Sequence, residues 1–121
     1  MHTLLEMPSY SRRKTLRVET REPVWVYWSW VGRNDVLAVR NLSLGGVFVE
    51  TLRTQPVGTK AQIDFLVGEG QIRTKAVVRH VERASGMGLE FTGVTQEDGP
   101  HLAALLTRLH GSSPSRPNFP G

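Results

Sequence analysis

The sequence predicts an all-β domain, a barrel or a sandwich, carrying one helix near its C-terminus. Short stretches dense in Val, Ile, Trp, Tyr and Phe recur at near-regular spacing, separated by Gly-, Pro- and Asn-containing turns. A single segment near residue 105 has helical rather than alternating periodicity. The chain of 121 residues suits one domain around one core, and it shows no internal repeat.

Residues 24–31, Val-Trp-Val-Tyr-Trp-Ser-Trp-Val, are rich in β-branched and aromatic side chains and form the first predicted strand. Alternation places Trp28 and Trp30 on one face and Trp25 on the other. The bland assignment, core on one side and barrel surface on the other, is preferred to base stacking or partner binding. Gly32-Arg33-Asn34-Asp35 supplies turn chemistry before a second strand over 36–40. A third strand spans 47–51 and a fourth 60–67, with Pro56-Val57-Gly58 turning between them. Gly68-Glu69-Gly70 is a hairpin loop leading to a long fifth strand over 71–82. Arg83-Ala84-Ser85-Gly86 then turns the chain into a sixth strand over 87–91.

Leu102, Leu105, Leu106 and Leu109 follow the i, i+3, i+4, i+7 pattern of one apolar helix stripe. Pro100 is accepted in a first helical turn and Gly111 fits the stop. This helix is expected to cover a barrel edge or mouth. Residues 1–11 are expected to be a flexible lead-in. Residues 111–121, rich in Pro, Gly and Ser, are expected to form a disordered tail. The domain proper is assigned to residues 12–110.

Without cysteine the chain has no disulfide and no thiolate chemistry, which agrees with a cytoplasmic location. No apolar run approaches the ~20 residues of a membrane span, and residues 1–10 lack a secretory h-region. The formal net charge is +4 and the pI about 10.1, which favours anionic partners. Arg12, Arg13, Lys14, Arg17 and Arg21 stand against Glu6 and Glu19, so residues 1–21 carry three of the four net charges. His2, His80, His101 and His110 have no metal-ligand spacing. Asp64, Glu69 and Glu90 form no recognisable acid–base pair, and no nucleophile with a partnering base stands out, so an enzyme is not expected. Arg79 is read as an exposed strand arginine.

Two short motifs remain. Arg12-Arg13-Lys14-Thr15-Leu16-Arg17 reads R-R-x-x-x-R, and Asn41-Leu42-Ser43-Leu44-Gly45-Gly46 reads N-x-S-x-x-G. Arg13 and Arg17, four apart, share a side in an extended segment and also in a helical turn, so spacing leaves the conformation open. Asn41 offers an acceptor and two donors, Ser43 a short hydroxyl, and Gly45 and Gly46 unusual backbone angles and close approach. Each motif alone is weak: a basic arm is usually solvated, and Asn, Ser and Gly are ordinary turn residues.

In this order and with these flanks, Leu-Gly-Gly-Val-Phe-Val-Glu after Ser43 and Gly-Met-Gly-Leu-Glu-Phe at 86–91, the sequence resembles the PilZ domain family over about residues 12–109. The resemblance implies a six-stranded antiparallel β-barrel with a helix packed on it, and a bacterial receptor for the second messenger cyclic di-GMP (c-di-GMP). Arg12, Arg13 and Arg17 would grip phosphates and guanines, as the planar guanidinium fork suits both. Asn41 and Ser43 would contact a guanine, and Gly46 would hold the loop open. Asn stands at 41 where Asp is more usual in the family, so binding is expected to survive with some loss of strength.

The doubled arginine points to a stacked pair of ligands as an alternative to one. No cofactor or metal is implied beyond c-di-GMP as ligand. The N-terminal arm is expected to close over the ligand and relay the signal to a downstream protein. The alternative is a PilZ-like adaptor that binds protein partners without nucleotide. A nucleic-acid-binding barrel is a third reading, which the two motifs disfavour.

Overall fold

The computed structural model describes residues 17–111. Seven strands form one antiparallel sheet: β1 (Val18–Glu19), β2 (Trp25–Trp30), β3 (Arg33–Leu42), β4 (Gly46–Glu50), β5 (Lys60–Phe65), β6 (Arg73–Glu82) and β7 (Gly86–Phe91). Helix α1 (Gly99–Gly111) follows. The sheet runs β3-β2-β5-β6-β7-β4, and β4 pairs back onto β3 to close a six-stranded barrel. The six predicted strands are these six. The two-residue β1 is an addition, pairing with the end of β3 just beyond β2. A segment that short carries no alternation signal of its own.

Inward positions follow the alternation. Val26 and Trp28, Leu37 and Val39, Val47 and Val49, Ile63 and Phe65, Ala76 and Val78, Met87 and Leu89 form the core. Trp30 packs against it half-buried, and Trp25 faces out, 45% exposed. Leu102, Leu105 and Leu109 add the helix stripe to the same core. Each buried Val, Leu, Ile, Phe or Met side chain among them contributes about 1.5–3 kcal/mol by leaving water.

Helix α1 belongs to the barrel end where the β1–β2, β3–β4 and β5–β6 connections lie. The buried Asp98 carboxylate accepts from the Arg73 N–H at 3.0 Å, His101 Nδ1 lies 2.7 Å from the Gln71 carbonyl, and Arg108 bonds Glu69 and Glu22. Gly70, at φ +135°, leaves the space that the His101 ring requires.

The first turn differs from the predicted one. Trp30 pairs with Arg33, so Arg33-Asn34-Asp35 belong to β3 and the turn is Val31-Gly32 alone. Both residues have positive φ, 38° and 75°, the two-residue hairpin form whose twist matches the strands. Polar but solvent-facing, residues 33–35 satisfy a strand without hydrophobic alternation.

Candidate functional site

Two β-bulges build the outer face beside the N-x-S-x-x-G turn. In β3, Val39 opposes Val49 and Asn41 opposes Phe48, so Arg40 is an extra residue. Val39 and Leu42 are both core residues, which leaves Arg40 and Asn41 pointing outward together. In β6 the register jumps between Val78 and His80, and Val78 and Val81 both pack inward. Arg79 and His80 therefore share the outer face in the same way.

Cross-strand register aligns these positions into one row. Asn41 opposes Phe48, Phe48 opposes Gly88, and Gly88 opposes His80. Across Gly88 the Phe48 and His80 rings lie 6.5 Å apart between centroids. Arg40 covers Phe48 from outside, its guanidinium carbon 4.2 Å from the ring centroid. The same guanidinium donates to Ser85 Oγ at 2.8 Å and pairs with Glu82 and Glu50 at 3.5 and 3.6 Å. Arg79 pairs with Glu90 at 2.7 Å.

The N-terminal side is fixed by β1. Val18 and Glu19 pair with Leu42 and Asn41, and the Thr20 hydroxyl donates to the Val39 carbonyl at 2.6 Å. This register sets Arg17 beside the bulge, where its guanidinium donates to Asn41 Oδ1 at 2.7 Å. The last arginine of the first motif thus meets the first residue of the second. Arg12 and Arg13, the other two predicted arginines, lie outside the described residues, as do the predicted lead-in and all of the predicted tail except Gly111.

Ser43 is 2% exposed. Its hydroxyl accepts the N–H groups of Gly45 and Gly46, each at 3.2 Å, and its own N–H donates to the Gly46 carbonyl at 2.9 Å. The turn is organised from within by this side chain. Gly46 also differs from expectation in its physical reason. Neither Gly45 nor Gly46 has a positive φ; a Cβ at Gly46 would instead collide with the Leu89 carbonyl oxygen of β7.

Arg17, Asn41, Ser43 and Gly46 are therefore brought together, and Arg40, Phe48, Arg79 and His80 join them on the adjoining surface. Sequence reasoning passed over Arg40, Phe48 and His80 because strict alternation turns Arg40 away from Asn41; a bulge has no clear signal in a Val-rich strand. A surface cleft of about 570 Å³ lies elsewhere, lined by Lys60, Gln62, Lys75 and Thr92 among others, and includes none of the predicted site residues. Among the described residues no three His, Asp or Glu side chains gather as a metal-binding group, and no helix is long and apolar enough to cross a membrane.

Chemically, the face offers planar cations, an amide with both donor and acceptor, and an aromatic backing. That set suits a ligand that is both anionic and aromatic.

Comparison with known proteins agrees with this architecture. The PilZ domain of YcgR from Escherichia coli, solved with c-di-GMP, is 16% identical with a TM-score of 0.68, covering 84% of this chain and 93% of that one. The Bacillus subtilis inhibitor of motility MotI/DgrA is 21% identical with a TM-score of 0.67, covering 81% of this chain and 52% of that one. The c-di-GMP complex of K. pneumonia MrkH is 17% identical with a TM-score of 0.66, covering 84% and 53%. The chain thus spans about half the length of the last two. Comparison with curated proteins gave no significant sequence match. The PilZ domain family profile matches residues 11–108, most of the sequence, and the chain belongs to the PilZ domain family.

Proposed function

We propose that this chain is a c-di-GMP receptor that takes the ligand on the outer face around Asn41. The observation that carries the reading is the convergence of Arg17 on Asn41 at the β3 bulge. Two family members of the same fold, the YcgR domain and MrkH, are solved with c-di-GMP.

The ligand carries two phosphate charges and two guanines, each with O6 and N7 acceptors on one edge. Arg13 and Arg17 answer these acceptors and the phosphates with guanidinium forks, and Arg12 adds a third. Asn41 can accept from a guanine N–H once Arg17 turns from it to the ligand, and its amide N–H₂ donates. Ser43 and Gly46 act by holding the turn: the first ties its N–H groups, the second lets β4 lie close to β7. Arg40, already backed by Phe48, presents its outer side as a stacking surface for a purine. Arg12 and Arg13 precede β1, so ligand contact by the arm orders the approach to Asn41 and changes the surface seen by a protein partner.

Equilibrium dialysis of c-di-GMP against the full chain and its Arg13→Ala and Arg17→Ala variants tests the reading. Each loss is expected to weaken binding by about 1.5–3 kcal/mol, roughly tenfold to over a hundredfold. Equal binding by the parent and both variants would remove the clamp.

A further inference from the structure

We propose that the end of the barrel away from α1 docks on an anionic lipid bilayer. Val31, Leu52 and Val57 enter the headgroup layer, and Arg33, Arg53, Lys60 and Arg83 meet the lipid charges. The proposal does not rest on the nucleotide reading.

Strand order fixes which loops share that end. In the antiparallel barrel β2, β4 and β6 run the same way, so the β2–β3, β4–β5 and β6–β7 connections lie together, opposite the helix. Backbone bonds tie two of them to the wall beside them. The Thr51 N–H donates to the Ser85 carbonyl at 3.1 Å, and the Gly58 N–H to the Val78 carbonyl at 2.8 Å. The most exposed large apolar residues among those described stand here: Val31 and Leu52 at 82% and Val57 at 60%. Val31 also sits against its own backbone preference. A turn with positive φ at both positions favours Asn-Gly, yet a β-branched residue takes the first, at φ 38°. A locally unfavourable choice of this kind is expected where function requires it.

The charge at this end is mostly positive. Arg33 opens β3, Arg53 follows Leu52, Lys60 opens β5 and Arg83 begins the β6–β7 turn. None of the four forms an ion pair among the described residues. The three connections contain no acidic residue. Glu50 and Glu82, which close β4 and β6 on the way into this end, share Arg40. Asp35 lines a small recess here together with Trp30, Arg33 and Arg53, so two arginines stand against it.

The occupant follows from how charge and apolar surface alternate. Each apolar tip is followed within three residues by Arg33, Arg53 or Lys60. The core of a protein interface is instead a continuous patch depleted of charge. A bilayer takes separate tips one by one, because each enters the acyl boundary while the neighbouring cations stay with the phosphates. Trp30, half-buried beside the two arginines, has the amphipathic ring that settles at headgroup depth. An acidic protein or a nucleic acid would answer the arginines and leave Val31 and Leu52 in water.

Co-sedimentation of the full chain with lipid vesicles tests this. The chain should pellet with phosphatidylcholine vesicles containing about a third phosphatidylserine, and at least about tenfold more weakly with phosphatidylcholine alone. Leu52→Ser and Val31→Asn should each weaken attachment about fivefold or more. Val31→Asn is also the folding control, because it should raise thermal stability while it lowers attachment. The double variant Arg53→Gln/Arg83→Gln should weaken attachment roughly twentyfold, about fivefold per charge. Lys75→Gln, which removes a charge from the barrel wall, should change it by less than about twofold. A parent chain that stays in solution with the anionic vesicles would overturn the proposal. So would pelleting that none of these variants changes, which would assign it to the basic residues 12–17. Loss with the arginine variant but not with Leu52→Ser or Val31→Asn would also overturn it, in favour of an acidic protein or a nucleic acid.

Discussion

The Arg17 guanidinium donates to the side-chain carbonyl of Asn41 across a sequence separation of 24 residues. The contact links the two motifs before any ligand arrives, and it occupies the acceptor that Asn41 would offer to a guanine. In the proposed mechanism the ligand must offer Arg17 better acceptors than Asn41 does, and phosphate and guanine oxygens do so. Arg17→Ala, Asn41→Ala and the double variant form a cycle that measures this exchange. The two losses in c-di-GMP affinity should fail to add by about 0.5–1.5 kcal/mol, because the residues touch. Asn41→Asp should bind about fivefold more tightly, since a carboxylate makes a stronger hydrogen bond to guanine N–H groups than an amide does.

Ser43 is expected to act through the turn. Ser43→Ala leaves the buried Gly46 N–H and the part-buried Gly45 N–H without their acceptor, at a cost of about 1–3 kcal/mol in stability. Urea unfolding should show the loss without ligand, and c-di-GMP affinity should fall with it. Ser43→Thr, which keeps the oxygen, should recover more of the affinity than Ser43→Ala retains.

Val31 is a β-branched residue at φ 38°, 82% exposed, in a turn whose geometry favours Asn-Gly. Val31→Asn should therefore stabilise the fold by about 1 kcal/mol, with no effect on ligand affinity, because the turn lies at the barrel end opposite the motif. Thermal unfolding at fixed pH checks it.

Acidification should loosen the helix. The hydrogen bond from Arg108 holds the Glu69 carboxyl below its usual range. An unfolded glutamate titrates near 4.3, so the folded state binds fewer protons there. The stabilisation is complete above about pH 5 and is lost as pH falls through the unfolded value toward the lower folded one. The Arg108 guanidinium stays charged throughout and adds nothing to this slope. Glu69→Gln should cost about 1 kcal/mol at pH 7, kept small by the solvent reaching Arg108. The difference from the parent should shrink steadily as pH falls below the unfolded value, as followed by urea unfolding at each pH.

The barrel was legible because its strands obey simple rules. Val26 and Trp28 alternate against Trp25 and Tyr27, and the leucines of α1 keep helical spacing. Closure of the sheet by β3 and β4 came from family resemblance, since alternation alone left a barrel and a sandwich equally open. The motif residues were legible, but their physical duties were not. Ser43 reads as a short donor and acceptor in a turn; in the fold it is buried and its hydroxyl organises that turn. Gly46 reads as needed for its backbone angle or for the close approach of a base; its φ is not positive, and the group that comes close is the Leu89 carbonyl. The neighbours Arg40 and His80 were hidden by the two bulges, because a single added residue reverses every alternation argument beyond it.

The most direct measurement is a calorimetric titration of c-di-GMP into the full chain, with GTP and cyclic di-AMP as controls and Arg17→Ala in parallel. The account predicts saturable heat for c-di-GMP alone, weakened tenfold or more by Arg17→Ala, with a stoichiometry near two if the ligand enters as a stacked pair. Absence of binding to the parent, or equal binding of all three nucleotides, would contradict it.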